Sequence, residues 1–118
     1  MDIDSEQLDG GIVKINLSGR MDVAGAQGID GRFAQLTAAP CRSVIVDLAR
    51  VNFLTSAGIR TLLVYARALR TRGGKMVLLN PDRMISQVLE LAGIDLSIGI
   101  FRDIEAACAA LAHDAGGV

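Results

Sequence analysis

The sequence predicts an α/β domain: a mixed sheet of about four or five strands with four helices, opened by a β-hairpin at the sheet edge. Three observations carry this. Val13, Ile15 and Leu17 alternate with Lys14, Asn16 and Ser18, the two-residue period of a half-buried strand, and Asp9-Gly10 before them is a hairpin turn signal. From Ser43 onward, short apolar runs take turns with segments of helical period. The breaks between them hold helix-stop and helix-start residues, Gly73-Gly74, Asn80-Pro81-Asp82 and Gly93.

In chain order, the residues from Ile3 to Leu8 are expected to pair antiparallel with Ile12 to Ser18 as an edge strand that adds little core. Asp2, Asp4 and Glu6 there read as charges that guard an exposed edge and not as a metal site. Gly19-Arg20-Met21-Asp22 closes the second strand, and Asp22 is a candidate N-cap for a helix through Val23, Ala26, Ile29 and Phe33. Gly25, Gly28 and Gly31 each weaken that helix by about 1 kcal/mol relative to alanine, so it is expected to be short or mobile, with Ala38-Ala39-Pro40 as its stop. Ser43 to Leu48 then reads as a strand buried on both faces.

From Ala57 to Arg72 the residues Ile59, Leu62, Leu63, Ala66 and Leu69 share a helical stripe with Arg60, Arg67, Arg70 and Arg72 on the other side; the three arginines in the last turns read as a solvated face suited to the negative end of the helix dipole. Gly73-Gly74 stops the helix. Lys75 to Asn80 reads as a second buried strand, followed by a helix whose core stripe is Met84, Val88 and Leu91 and whose stop is Gly93. Ile98 to Phe101 is strand-like, Asp103 caps a last helix through Ile104, Ala107 and Leu111, and Ala115 to Val118 is expected to fray. The later strands run parallel, joined by right-handed crossovers.

At 118 residues and 51% hydrophobic, the chain makes a single domain over 1–118 with one core. Twelve basic and thirteen acidic residues leave a net charge of -1, and aromatics are 3%, so neither a basic footprint nor a stacking platform for nucleic acid is present. Met1-Asp2-Ile3-Asp4 lacks the pattern of a signal peptide, and no apolar run nears the roughly 18 residues of a membrane span, which places the chain in the cytoplasm without membrane insertion. Cys41 and Cys108 are far apart and form no C-x-x-C pair; Cys108 is expected to be a small buried hydrophobe and Cys41 an exposed loop thiol.

The most informative stretch runs from Val46 to Leu63. An apolar run ends, a short loop follows, and Ser56 stands where an amphipathic helix begins. A serine there can cap free backbone N–H groups, and a phosphate on it would meet the positive end of the helix dipole. Ser56 therefore has two readings, an N-cap worth about 1 kcal/mol and a switch. Catalysis finds no support: Leu54 stands where a nucleophile elbow needs its first glycine, and the single histidine, His113, lies in the tail. Gly73-Gly74-Lys75 is not a P-loop, no G-x-G-x-x-G follows a strand, and no cofactor is expected. The chain reads as a non-enzyme.

Taken in order, the hairpin, Gly19-Arg20-Met21-Asp22, the buried strand and the run Phe53-Leu54-Thr55-Ser56-Ala57-Gly58-Ile59-Arg60-Thr61-Leu62-Leu63 resemble a bacterial STAS domain, specifically a single-domain anti-sigma factor antagonist. Gly73-Gly74-Lys75-Met76-Val77-Leu78-Leu79 and Val88-Leu89-Glu90-Leu91-Ala92-Gly93-Ile94 extend the likeness to nearly the whole chain. The resemblance implies a sheet with helices on one side and a partner cycle. An anti-sigma factor that is a serine kinase of the GHKL type binds the unmodified antagonist and releases its sigma factor, then phosphorylates the serine matching Ser56 and lets go; a PPM-type phosphatase restores the binding form.

In many relatives an acidic residue precedes that serine, whereas Thr55 stands here and is a second candidate acceptor; Ala57 satisfies the small residue after it. The resemblance makes Asp22, Thr55, Ser56, Ala57 and Gly58 candidate partner contacts, with the helix-cap reading of Asp22 beside it. Met84 and Ile85 are further contact candidates, set against a core role for Met84. A competing reading from the same family is an accessory STAS subunit of an ABC-type phospholipid transporter, in which the serine need not be modified.

Overall fold

The computed structural model describes the backbone of residues 1–38 and 41–116 and the side chains of residues 1–38 and 41–112. Its elements follow the predicted order: β1 (Asp2–Leu8), β2 (Ile12–Met21), α1 (Val23–Thr37), β3 (Ser43–Leu54), α2 (Ser56–Thr71), β4 (Met76–Leu79), α3 (Arg83–Leu91), β5 (Gly99–Phe101) and α4 (Ile104–Gly116). The sheet order is β1-β2-β3-β4-β5, with β1 antiparallel to β2 and all later pairs parallel. Asp22, Asp82 and Asp103 all accept a backbone N–H three residues on, at 2.8 Å, as predicted for the starts of α1, α3 and α4. The side chain of His113 and the chain end at Gly117 and Val118, where fraying was expected, lie outside the described residues, as do Ala39 and Pro40 of the expected α1 stop.

Val13, Ile15 and Leu17 of β2 join Val44, Val46 and Leu48 of β3 and Leu78 of β4 on one sheet face, packed beneath Phe33 of α1, Leu62 of α2 and Leu89 of α3. The alternating residues Ile45, Val77 and Leu79 point the other way and meet Ala107 and Leu111 of α4. Helices therefore cover both faces, which corrects the expectation of helices on one side. Strands that are apolar on both faces need a second layer, and α4 is that layer for β3 and β4. Over β1 and β2 the same face is polar. Lys14 donates to Asn16 at 2.7 Å and pairs with Glu6 at 3.2 Å and Asp47 at 3.3 Å, while Asn16 donates to Asp4 at 2.7 Å.

Four local expectations change. β3 runs six residues beyond the expected end at Leu48, to Leu54, and β2 runs to Met21; the register shifts between Asn16 and Ser18 and between Gly19 and Arg20 break the two-residue alternation that would have signalled pairing. α1 is not short but spans 15 residues, because burial of Ile29 and Phe33 outweighs its weak propensity.

In α3 the buried row is Ile85, Ser86 and Leu89, while Met84 and Leu91 are 62% and 89% exposed. Of the expected stripe Val88 packs partly against the core while Met84 and Leu91 face solvent, and Ile85, expected among the exposed contacts, is buried. The row that is buried contains a serine, which counts against it in a hydropathy pattern; Ser86 enters the core because its hydroxyl donates to the Pro81 carbonyl and accepts from Arg102. Finally, Cys41 and Cys108 are both half-buried, and burial pushes the Cys41 thiol up. Neither the fully buried Cys108 nor the exposed Cys41 of the sequence reading is found.

α1 and α2 lie side by side. The Tyr65 hydroxyl donates to the Asp30 carboxylate at 2.8 Å, and its ring centroid sits 5.0 Å from that of Phe33. At their far ends a guanidinium nitrogen of Arg72 donates to the Thr37 carbonyl. Arg72 is exposed, as expected of the solvated face, and in addition ties the two helices together. Partial burial first, and then Asp30, push the Tyr65 phenol up to about 12. The neutral phenol contributes stability fully present below the ordinary tyrosine value of about 10, and that contribution is lost as pH rises from there through the folded value. Alkaline unfolding should show this decline in the wild type and not in Tyr65→Phe. Tyr65 is the single tyrosine, so phenolate absorbance reads it alone, and an ordinary midpoint would refute the assignment.

Candidate functional site

β2 and β3 are parallel neighbours whose last residues, Met21 and Leu54, are register partners. Each strand turns into a helix through one residue, Asp22 before α1 and Thr55 before α2. Two helix starts are thereby set next to each other at one end of the sheet, and that brings together Asp22, Thr55, Ser56, Ala57 and Gly58.

Asp22 caps α1 and stands 3.6 Å from the Arg20 guanidinium. The Gly25 amide first, and Arg20 after it, hold its carboxyl below the usual range. It stays ionised near neutral pH, and its support for the start of α1 is lost only as pH falls through that depressed value.

Thr55 holds the N-cap position of α2 with extended backbone angles, and its carbonyl accepts the first helical bond from Ile59 at 3.0 Å. Its side chain does not cap the helix. Both its N–H and its hydroxyl donate to the Met21 carbonyl, each at 3.1 Å, so Thr55 clips the start of α2 to the end of β2. Thr55→Val should lose about 1 kcal/mol of stability through that half-buried hydroxyl bond, measured by urea unfolding, with the fold retained. No change would mean that the backbone bond alone holds the junction.

Ser56 is the first helical residue and not the N-cap, which corrects the capping reading of it. It is exposed, and its hydroxyl makes no hydrogen bond among the described residues. The first turn of α2 holds no acidic side chain, so none of its own residues offsets its open N–H groups. Ala57 is half-buried and lines a shallow groove between α1 and α2 with Val23, Ala26, Asp30 and Arg60.

Gly58 is buried. A Cβ there would come 2.7 Å from Met21 Cγ, 2.8 Å from Leu54 Cδ1 and 2.9 Å from the Met21 carbonyl oxygen. Its role is to let the first turn of α2 sit directly on the two strand ends, which lifts Ser56 into solvent. Met84 stands apart on α3, exposed, after a strand that stops beside Asp47 while β3 continues to Leu54.

Sequence reasoning missed Arg20 and Phe53, whose guanidinium and ring stack at 4.1 Å, and the exposed apolar residues Val23, Leu63 and Val64. Phe53 is hidden in the sequence because the extension of β3 carries no strand alternation of its own. Val64 was legible in principle: it follows Ser56 and Arg60 at helical spacing on the outer face. Among the described residues no helix is long and apolar enough to cross a membrane.

Comparison with known proteins agrees with this architecture. The family model of the STAS domain matches residues 4–107. A Bordetella bronchiseptica protein, BtrV, named as an anti-sigma factor antagonist, is 29% identical over 110 residues, covering 93% of this chain and 94% of that protein. Among solved structures, an anti-sigma factor antagonist from Thermotoga maritima superposes with a TM-score of 0.86 at 15% identity, over 92% of this chain and 93% of that one. The Bacillus cell fate determinant SpoIIAA in its phosphorylated form gives 0.70 at 22% identity, over 92% and 99%. At these identities the structural likenesses speak for the fold alone.

Proposed function

We propose, from the premise that the chain belongs to the STAS domain family, that it is a cytoplasmic anti-sigma factor antagonist whose unmodified form docks an anti-sigma factor and is released when Ser56 is phosphorylated. The observation that carries this is the Ser56 hydroxyl: exposed, without a hydrogen-bond partner among the described residues, and placed in the first turn of α2. BtrV, named as such an antagonist, supports the reading.

The physical argument has two parts. Phosphate adds close to two negative charges, which the start of a helix accepts without unfolding the domain. Pressed into a partner, the same dianion must shed water, which costs at least several kcal/mol when no cation receives it. About 5.5 kcal/mol moves a two-state population from 1:99 to 99:1, so one modification suffices to switch partners. Thr55 is no equal acceptor in this reading, since its hydroxyl is half-buried and already donates to Met21.

The modifying enzyme is a serine kinase of the GHKL type that is itself the anti-sigma factor, and a PPM-type phosphatase reverses the step. Incubation with the cognate kinase and ATP, read by intact mass and peptide mapping, should add one phosphate at Ser56 and none to Ser56→Ala. A chain that stays unmodified, or that is modified at Thr55 instead, overturns the reading.

A further inference from the structure

Among the described residues, the polar groups around Ser56 divide into those already engaged and two unengaged guanidinium groups, Arg60 and, two turns farther along α2, Arg67. Asp22 is held by the Gly25 amide and faces Arg20, Arg20 also lies over the Phe53 ring, and Thr55 is spent on Met21. Arg60 is exposed and has no hydrogen bond, ion pair or ring contact among the described residues. It follows Ser56 by four positions on α2, a spacing that puts two side chains on one face a turn apart. Helical side chains lean toward the N-terminus, so the Arg60 side chain inclines toward the turn that holds Ser56. Both residues line one shallow groove along α2 with Ile59, Leu63, Val64 and Arg67.

We propose that Arg60 is the internal counter-ion of a phosphate on Ser56. The inference rests on the reading that Ser56 is phosphorylated. A guanidinium presents two parallel N–H donors that match two phosphate oxygens, a pairing stronger than a neutral hydrogen bond. The place of Ser56 at the head of a helix does not by itself select Arg60; the four-residue spacing, the shared groove and the unengaged guanidinium do.

The consequence concerns what the groove offers a partner. Unmodified, it presents two guanidinium groups, Arg60 and Arg67, beside the exposed apolar residues Leu63 and Val64. A phosphate dianion cancels those two charges and takes Arg60 for itself. Phosphorylation then acts by withdrawing a cation from the docking face as well as by adding an anion to it.

The test installs phosphoserine at position 56 during synthesis, so no kinase is needed, and follows the second phosphate ionisation by 31P NMR. The unperturbed value is about 6, and a guanidinium in contact favours the dianion. The midpoint of the wild type should lie below that of Arg60→Gln by on the order of half a pH unit, with Arg60→Lys between them and Arg67→Gln equal to the wild type. Equal midpoints in the wild type and Arg60→Gln, with both folded by circular dichroism, overturn the inference. Failure of the kinase to modify Ser56 overturns the functional reading instead and leaves this titration unaltered, so the two failures are distinct.

Discussion

Ser56→Asp is expected to bind the anti-sigma kinase at least 100-fold more weakly than Ser56→Ala while unfolding at nearly the same denaturant concentration. The first half follows from burying a charge in an interface without a partner, which costs about 3–5 kcal/mol, and 1.4 kcal/mol is tenfold in affinity. A carboxylate at this position either meets no cation or draws Arg60 away from the face, and both weaken docking. The second half follows from where the residue sits. Ser56 is exposed, and the first turn of α2 has no acidic side chain, so an added anion meets the positive end of the helix. That interaction is worth about 0.3–1 kcal/mol in favour of folding. Calorimetric binding and urea unfolding of the same two variants separate the effects. Equal affinities would rule out charge as the switch, and a collapse in stability of Ser56→Asp would mean that its weak binding reports unfolding.

Gly25→Ala is expected to lose about 3 kcal/mol of stability even though it replaces glycine by the best helix former. Gly25 lies in the first turn of α1, and an added Cβ would stand 2.1 Å from the carbonyl oxygen of Arg20 and 3.2 Å from its carbon. Those are backbone atoms at the end of β2, so no rotamer change relieves the contact and the strand or the helix must move. The same shift would disturb the 2.8 Å bond from the Gly25 amide to Asp22 that starts α1. Gly28 is the internal control. It is exposed, with nothing within 4 Å of a Cβ built there, and Gly28→Ala should gain up to about 1 kcal/mol. Denaturant midpoints moving in opposite directions would verify the close approach; a gain at both positions would refute it.

What could be read beforehand shows where local chemistry suffices. Val13, Ile15 and Leu17 announced an inward face through alternation alone, and all three are buried. Asp22, Asp82 and Asp103 announced helix starts because capping involves only the next three residues. The misreadings share a different cause. In α3 the rows Met84-Val88-Leu91 and Ile85-Leu89 are both apolar at helical spacing, and the choice between them was made by Pro81 and Arg102, which satisfy Ser86 within the core. The tail of β3 looked like loop because its pairing with β2 contains register shifts that no strand carries on its own. The site was legible to the extent that Ser56 stands at the start of a helix, with Val64 two turns on at the same spacing, but Arg20 and Phe53 surfaced only with the packing.

By itself the sequence determined the class of fold, the order of its elements, the helix starts and the presence of a serine at the head of the second helix. These are properties of short windows: period, caps and stops act over a few residues. Tertiary structure alone decided that α4 covers the second sheet face, which side of α3 is buried, and that of two adjacent hydroxyls Thr55 is tied to Met21 while Ser56 has no partner among the described residues. Each of those outcomes depends on groups distant in the chain competing for one face or one carbonyl, and that competition is resolved only when β2 and β3 lie side by side.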